Sequence, residues 1–285
     1  MFENISIIGP GLLGGSIAMA IKKRKLAKQV HVWARSESSR QNCIKTQLCD
    51  CVHENLENSV EKSDLIIICV PVDTIIPLFL KILKILKADA IVTDVGSVKA
   101  SICDAAKECT HNQPVHFIGS HPMAGSEKKG MEHAYAELVE NAPCIVTPDA
   151  NSNALALEKL INFWEALGMK TTCMDAPSHD ALVAKISHLP HLIASALAVS
   201  LDDLSPNQLK HAGGGLRDTT RVAGGSPEIW EPIVLDNSKE VLQSLEQFEV
   251  TLKKLKTSIL TKNSEALYNI LDQGKSVRKI IENAQ

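Results

Sequence analysis

Residues 5–16, ISIIGPGLLGGS, set a short apolar run directly against a cluster of glycines. Gly9, Gly11 and Gly14 stand in the spacing G-x-G-x-x-G, and the run ahead of them has the length and branching of a buried strand. At such a turn the first glycine allows the tight bend and the second lets a pyrophosphate approach the backbone. The third lets the following helix pack close to the strand. A helix starting there aims its first amides, at Leu12 and Leu13, toward phosphate oxygens. The stretch therefore predicts a βαβ unit that binds a dinucleotide, which commits the first part of the chain to a mostly parallel sheet.

The rest of the N-terminal half agrees with that commitment. Strand-like runs at 30–33, 65–71, 90–96, 115–119, 144–147 and 171–174 alternate with helical stretches at 13–25, 74–86, from 99 onward, and 154–167. After Asp175 the strands stop. Long helices are predicted at 178–201, 232–260 and 263–282, interrupted by the glycine-rich HAGGGLRDTTRVAGGSPEIW. We expect an α/β Rossmann-type dinucleotide-binding domain over 1–175, followed by an all-α dimerisation domain over 176–285. Val241, Leu245, Phe248, Leu252, Leu255 and Ile259 recur at three- and four-residue spacing. Helices this long and apolar point to a homodimer.

Composition narrows the partners. The net charge of −3 offers no general attraction to nucleic acid or to an anionic membrane, so an anionic ligand needs local groups. No apolar run approaches the length of a membrane span. Eight cysteines without a CxxC pair suggest reduced thiols and a cytoplasmic protein. His188 and His191 lie three apart in ISHLPHL and share a helix face, but no third ligand has convincing spacing, so no metal is expected. Pro190 leaves the carbonyl of Ile186 without its helical donor, which predicts a kink.

Three further stretches carry chemistry. In WARSESSR the strand ends in Ala34, where an acid would grip the ribose hydroxyls of NAD; Arg35 and Ser36 can instead meet a 2′-phosphate. This favours NADP over NAD, with Arg40 too distant unless the loop folds back. DVGSVK places Ser97 and Lys99 at the carboxyl end of a strand, where ligands sit in open α/β sheets. GSHPMAGSEKKG sets His121 among glycines in a predicted loop, suited to a general base or, more plainly, to a turn.

GPGLLGGS, DVGSVK, GSHPMAGSEKKG, ISHLPHL and GGGLRDTTRVAGGSPEIW, in that order, resemble the prephenate/arogenate dehydrogenase family of tyrosine biosynthesis. The resemblance spans essentially the whole chain. It implies oxidative decarboxylation of a cyclohexadienyl acid with NAD or NADP, and a homodimer. It also implies roles: His121 as the base, Ser97 as the serine that orients it, and Arg221 as the partner of a substrate carboxylate. Glu127 and Asp218 correspond to acids of an ionic gate with that arginine, and His191 and Trp230 to residues near the substrate. Two other readings are an NADP-linked hydroxyacid-type dehydrogenase, which would use a lysine such as Lys185, and a non-catalytic NADP sensor.

Overall fold

The computed structural model describes residues 2–125 and 130–283; Glu127 lies outside them. The chain divides into two compact units, Met1–Asn237 and Ser238–Gln285. In the first, a six-stranded sheet is built from β1 (Phe2–Ile8), β2 (Ala27–Trp33), β3 (Cys51–His53), β4 (Leu65–Ile68), β5 (Ala90–Asp94) and β6 (Val115–Phe117). Its order is β3-β2-β1-β4-β5-β6 and every pairing is parallel. The order reverses between β1 and β4, the switch point where such sheets open a crevice. Helices α1 (Leu12–Arg24), α2 (Glu37–Thr46), α3 (Leu56–Val60), α4 (Val72–Ile82) and α5 (Ala100–Thr110) connect the strands.

The alternation of side chains along a strand feeds two cores. Ile5 and Ile7 point into one with Ile17 and Trp164, while Ile8 points into the other with Ile75 and Phe79. β4 and β5 are buried at every residue, as strands covered on both faces must be.

A second, three-stranded sheet follows, from β7 (Gly119–Pro122), β8 (Pro143–Thr147) and β9 (Lys170–Cys173), with α6 (Ala154–Ala166) before its last strand. β7 runs antiparallel to β8, pairing His121 with Ile145. His121 thus sits on a strand and not in the predicted loop; its neighbour Ser120 accepts from Thr93 Oγ1 at 2.8 Å and from Trp164 Nε1 at 3.0 Å. The unit ends in α7 (Ala176–Val183), α8 (Leu189–Val199), the short α9 (Pro206–Leu209) and α10 (Gly214–Thr220), and α11 (Pro227–Asp236).

Between α7 and α8 the chain makes a π turn, Ala184–His188, in which the Leu189 amide reaches the carbonyl of Ala184. The disturbance expected from Pro190 is absorbed in this widened turn. Together α7, the turn and α8 form 24 helical residues with a mean hydropathy of 1.5, long and apolar enough for a membrane span by length and composition. That differs from the sequence expectation, because its apolar residues are interspersed with polar ones. The polar ones, His179, Asp180, His188 and His191, are buried in this protein's own interior.

The second unit is a pair of helices, α12 (Ser238–Leu260) and α13 (Ser264–Asn283). The predicted helix over 232–260 is therefore two helices, broken at Asn237. Its side-chain amide donates to the carbonyl of Asp180 at 2.9 Å.

Candidate active site

A cleft of about 710 Å3 opens at the carboxyl ends of β1, β4 and β5. Gly11, Leu12, Leu13, Gly14, Ser97, Arg221 and Trp230 line it. The glycine turn behaves as its spacing predicts. Gly9 has φ of +92°, and a Cβ there would lie 2.5 Å from the Cys69 carbonyl oxygen; one at Gly14 would lie 2.3 Å from the Gly9 oxygen. At Gly11 a Cβ would meet open space. The start of α1 therefore faces a roomy cleft with its free amides, a fit for the pyrophosphate of a dinucleotide.

His121 does not line this cleft; it is 8% exposed. Its Nδ1 lies 2.8 Å from His179 Nε2, and His179 Nδ1 lies 2.7 Å from Asp180 Oδ1. An ionised carboxylate only accepts, so His179 must carry its proton on Nδ1 and present a lone pair at Nε2. His121 then donates from Nδ1, which leaves its Nε2 lone pair as the basic site. Burial, with His179, Lys99 and His188 nearby, holds its pKa well below 6.5 and keeps the ring neutral. Among the described residues, the hydrogen-bond partner of His121 Nδ1 is His179. Ser97, given that role by resemblance, lines the cleft but makes no hydrogen bond with His121.

Asp180 fixes this chain of rings because it is itself fixed. Its two carboxylate oxygens accept from the amides of Lys99 (2.8 Å) and Ala100 (2.9 Å), capping α5. Lys99 is fully buried and paired with Asp94, which also accepts from the Gly96 amide at 2.8 Å and the Ser120 amide at 3.3 Å. The lysine of DVGSVK thus holds the turn together instead of reaching a ligand.

His191 stacks on Trp230 with centroids 3.6 Å apart and planes 7° from parallel, so the indole that lines the cleft rests on the imidazole. Burial lowers the pKa of His191. His188 is buried, edge-on to Trp230 and within 3.2 Å of the Asn237 amide; burial pushes its pKa down to about 4. Its Nε2 is buried without a hydrogen-bond partner among the described residues.

Other residues fall outside the cleft. Asp218 is exposed on α10, and among the described residues it makes no ion pair with Arg221. Arg217 borders a separate hollow with Leu201 and Leu216. Lys185 is exposed and does not line the cleft, which argues against a lysine-dependent hydroxyacid mechanism. Ser36 caps α2 by accepting from the Ser39 amide at 3.1 Å. Arg40 is tied to Glu37 and to the carbonyls of Ala34 and Arg35, so it is not available to a phosphate. Arg35 is exposed beyond the buried Ala34.

Two family descriptions cover most of the chain: prephenate dehydrogenase, nucleotide-binding domain, matches residues 17–173, and prephenate dehydrogenase, dimerization domain, matches residues 175–273. The chain belongs to the prephenate dehydrogenase family. Within that family it is 34% identical to a cyclohexadienyl dehydrogenase of Zymomonas mobilis, over 98% of this chain and 96% of the relative. The crystal structure of the family member from Aquifex aeolicus, in complex with hydroxyphenyl propionate and NAD+, superposes with a TM-score of 0.92. It is 30% identical and 99% of each chain is covered. Synechocystis arogenate dehydrogenase gives 0.83 at 31% identity, over 98% of this chain and 99% of that one. Family membership makes this an oxidoreductase with a nucleotide-binding Rossmann-type domain and a nicotinamide cofactor.

Proposed function

We propose that this protein is a cytoplasmic prephenate or arogenate dehydrogenase that oxidatively decarboxylates a cyclohexadienyl acid in tyrosine biosynthesis. The observation that carries this reading is the buried chain His121–His179–Asp180, which leaves one neutral imidazole nitrogen as a base in a chain that also presents a dinucleotide turn and an arginine to one cleft. His121, three residues before Ala124 of the cleft lining, is proposed to reach in and accept the proton of the ring hydroxyl at Nε2, while its Nδ1–H bond to His179 holds the resulting imidazolium in place. Bound at the start of α1 and the Gly11 turn, the nicotinamide dinucleotide supplies the hydride acceptor. Arg221 pairs with a substrate carboxylate in a bidentate fork, and Trp230, resting on His191, offers a flat apolar wall to the ring. Ser97 lines the same cleft. Glu127 and Asp218 are proposed to gate the arginine. All eight cysteines are unpaired, in keeping with a reducing compartment.

The direct test is to supply prephenate and arogenate separately with each cofactor and follow reduced nicotinamide and CO2 together. Cofactor reduction without CO2 release, or neither, overturns the reading. Arg221→Ala should raise KM for the acid roughly ten- to a hundred-fold, about 1.5–3 kcal/mol, with the cofactor Kd unchanged. Equal weakening of both ligands would instead mark the arginine as structural.

For the cofactor we favour NADP. Ala34 offers no acceptor to the ribose and no charge to repel a 2′-phosphate, while Arg35 stands exposed one residue on with Ser36 beside it. One charge-assisted contact near solvent favours NADP by roughly ten-fold, up to a hundred-fold. Ala34→Asp combined with Arg35→Ala should reverse the order of kcat/KM for the two cofactors. An unaltered enzyme that already prefers NAD would refute this assignment.

The functional boundary is proposed near Asp175, and the C-terminal helices are proposed to form a homodimer. Leu242, Val250, Leu252 and Ile259 on α12, and Leu271, Val277 and Ile280 on α13, are about half exposed or more. Sedimentation at low micromolar concentration should give twice the chain mass of 30.9 kDa. A stable, active monomer would rule the dimer out.

A further inference from the structure

On β2 and β3, outside the cleft, the sheet brings three donor side chains together. His31 stands opposite Cys51 and Trp33 opposite His53 across the parallel ladder, so His31, Cys51 and His53 share one face. One donor atom from each lies within 4.8 Å of the other two. His31 Nδ1 and His53 Nε2 are 3.0 Å apart, and the far nitrogen of His31, Nε2, is 3.3 Å from Asn4 Oδ1. All three residues are partly buried, which leaves one side open to solvent.

We propose that His31, Cys51 and His53 bind a divalent metal ion of the zinc class. Two imidazoles and a thiol suit a borderline-to-soft cation; magnesium and calcium would require oxygen donors. Two ring nitrogens facing each other can share only one proton between them, and a metal takes that place by accepting both lone pairs. Ligands at about 2.0–2.3 Å from a tetrahedral ion are themselves roughly 3.3–3.8 Å apart. The imidazole nitrogens need to part by only about 0.3–0.4 Å and the thiol to close by up to roughly 1 Å, movements that side-chain rotation supplies. Asn4 Oδ1 accepts the Nε2–H of His31 and so fixes the tautomer whose Nδ1 lone pair faces the site, the usual role of an outer partner to a metal-binding histidine.

Charge favours the neutral ligand forms. Burial, together with the neighbouring His53, lowers the pKa of His31, and burial lowers that of His53. Asp50 and Lys62 act on His31 in opposite directions. The Asp50 carboxylate is already engaged by the Val30 amide and by Lys22, so it is not counted as a ligand. On binding, His53 moves its proton from Nε2 to Nδ1, and the Cys51 thiol releases one proton to solvent as its sulfur bonds the metal. Water completes the fourth position. The ion would tie β3, a three-residue edge strand, to β2.

The test is a cobalt(II) titration of the full-length, reduced protein after treatment with chelator. One equivalent should produce tetrahedral d–d absorption and a thiolate-to-cobalt charge-transfer band, both bleached by one equivalent of zinc(II). Zinc should also raise the thermal midpoint. Cys51→Ser should abolish the charge-transfer band, and His53→Gln should weaken cobalt binding roughly ten- to a hundred-fold. Far-UV circular dichroism and dehydrogenase turnover should be unchanged in both, since neither residue borders the cleft; if Cys51→Ser does not fold, His53→Gln alone decides. Absence of the charge-transfer band in the unaltered protein, an undiminished band in folded Cys51→Ser, or unchanged affinity in His53→Gln would overturn the proposal.

Discussion

His121→Asn should fold, bind the dinucleotide with unchanged affinity, and lose roughly 10²–10⁴-fold in kcat. Asparagine preserves a donor toward His179 Nε2, so the strand and the buried chain of rings stay in place, while the basic nitrogen is gone. The unaltered enzyme should show the matching pH dependence. Its His121 pKa lies well below 6.5, chiefly through burial, so the imidazole is neutral and competent at neutral pH. Rate is lost only as pH falls through that depressed value, and the limb therefore lies on the acid side of 6.5. Initial rates from pH 4.5 to 9 with both proteins test this. Near-normal turnover by the variant would remove His121 from the mechanism.

Asp180→Ala should have the largest effect on stability, about 3–5 kcal/mol. The substitution leaves three buried donors without an acceptor: the amides of Lys99 and Ala100, and His179 Nδ1. Urea unfolding would show it as a lowered midpoint with the slope retained. The folded fraction should also lose kcat more than it raises KM, because His179 becomes free to adopt the other tautomer and withdraw its acceptor from His121. An enzyme with unchanged midpoint and rate would mean that the carboxylate neither caps α5 nor positions the base.

The parts of this architecture legible in the sequence are those with a local signal. The glycine spacing, the apolar strands β1, β4 and β5, and the helix α1 could be read because each is written within a dozen residues. α2, β3 and α3 were missed. In α2 only Cys43 is buried, so no apolar period marks it. Two features around the candidate base are not legible locally: the hydrogen bond of His121 to His179 and the burial of Lys99 against Asp94. His179 lies 58 residues from His121, and the Asp180 carboxylate that accepts from the Lys99 and Ala100 amides lies 80 or more residues away, so neither pairing leaves a spacing to recognise; the Lys99 side chain pairs with Asp94 only five residues back, but nothing local marks both as buried. The adjacent pair His179–Asp180 was the available hint: two ionisable residues on consecutive positions of an otherwise apolar helix ask what they face.

The π turn between α7 and α8 works as an index mark. A regular helix advances about 100° per residue, so the extra residue held in a π turn shifts the phase of everything after it. Upstream of the turn, α7 directs His179 at the strand that carries the base and Asp180 at the first amides of α5. Downstream, α8 directs His191 under the indole that walls the cleft. Two functional faces that one straight helix would present at the wrong mutual angle are brought into register by a single inserted position. Loss of one residue between Ala184 and His188 would let the helix become regular and rotate one set away from its target, even though every functional side chain remained in the chain. Length at this point is therefore a structural requirement in its own right, as binding as the identity of any residue around it.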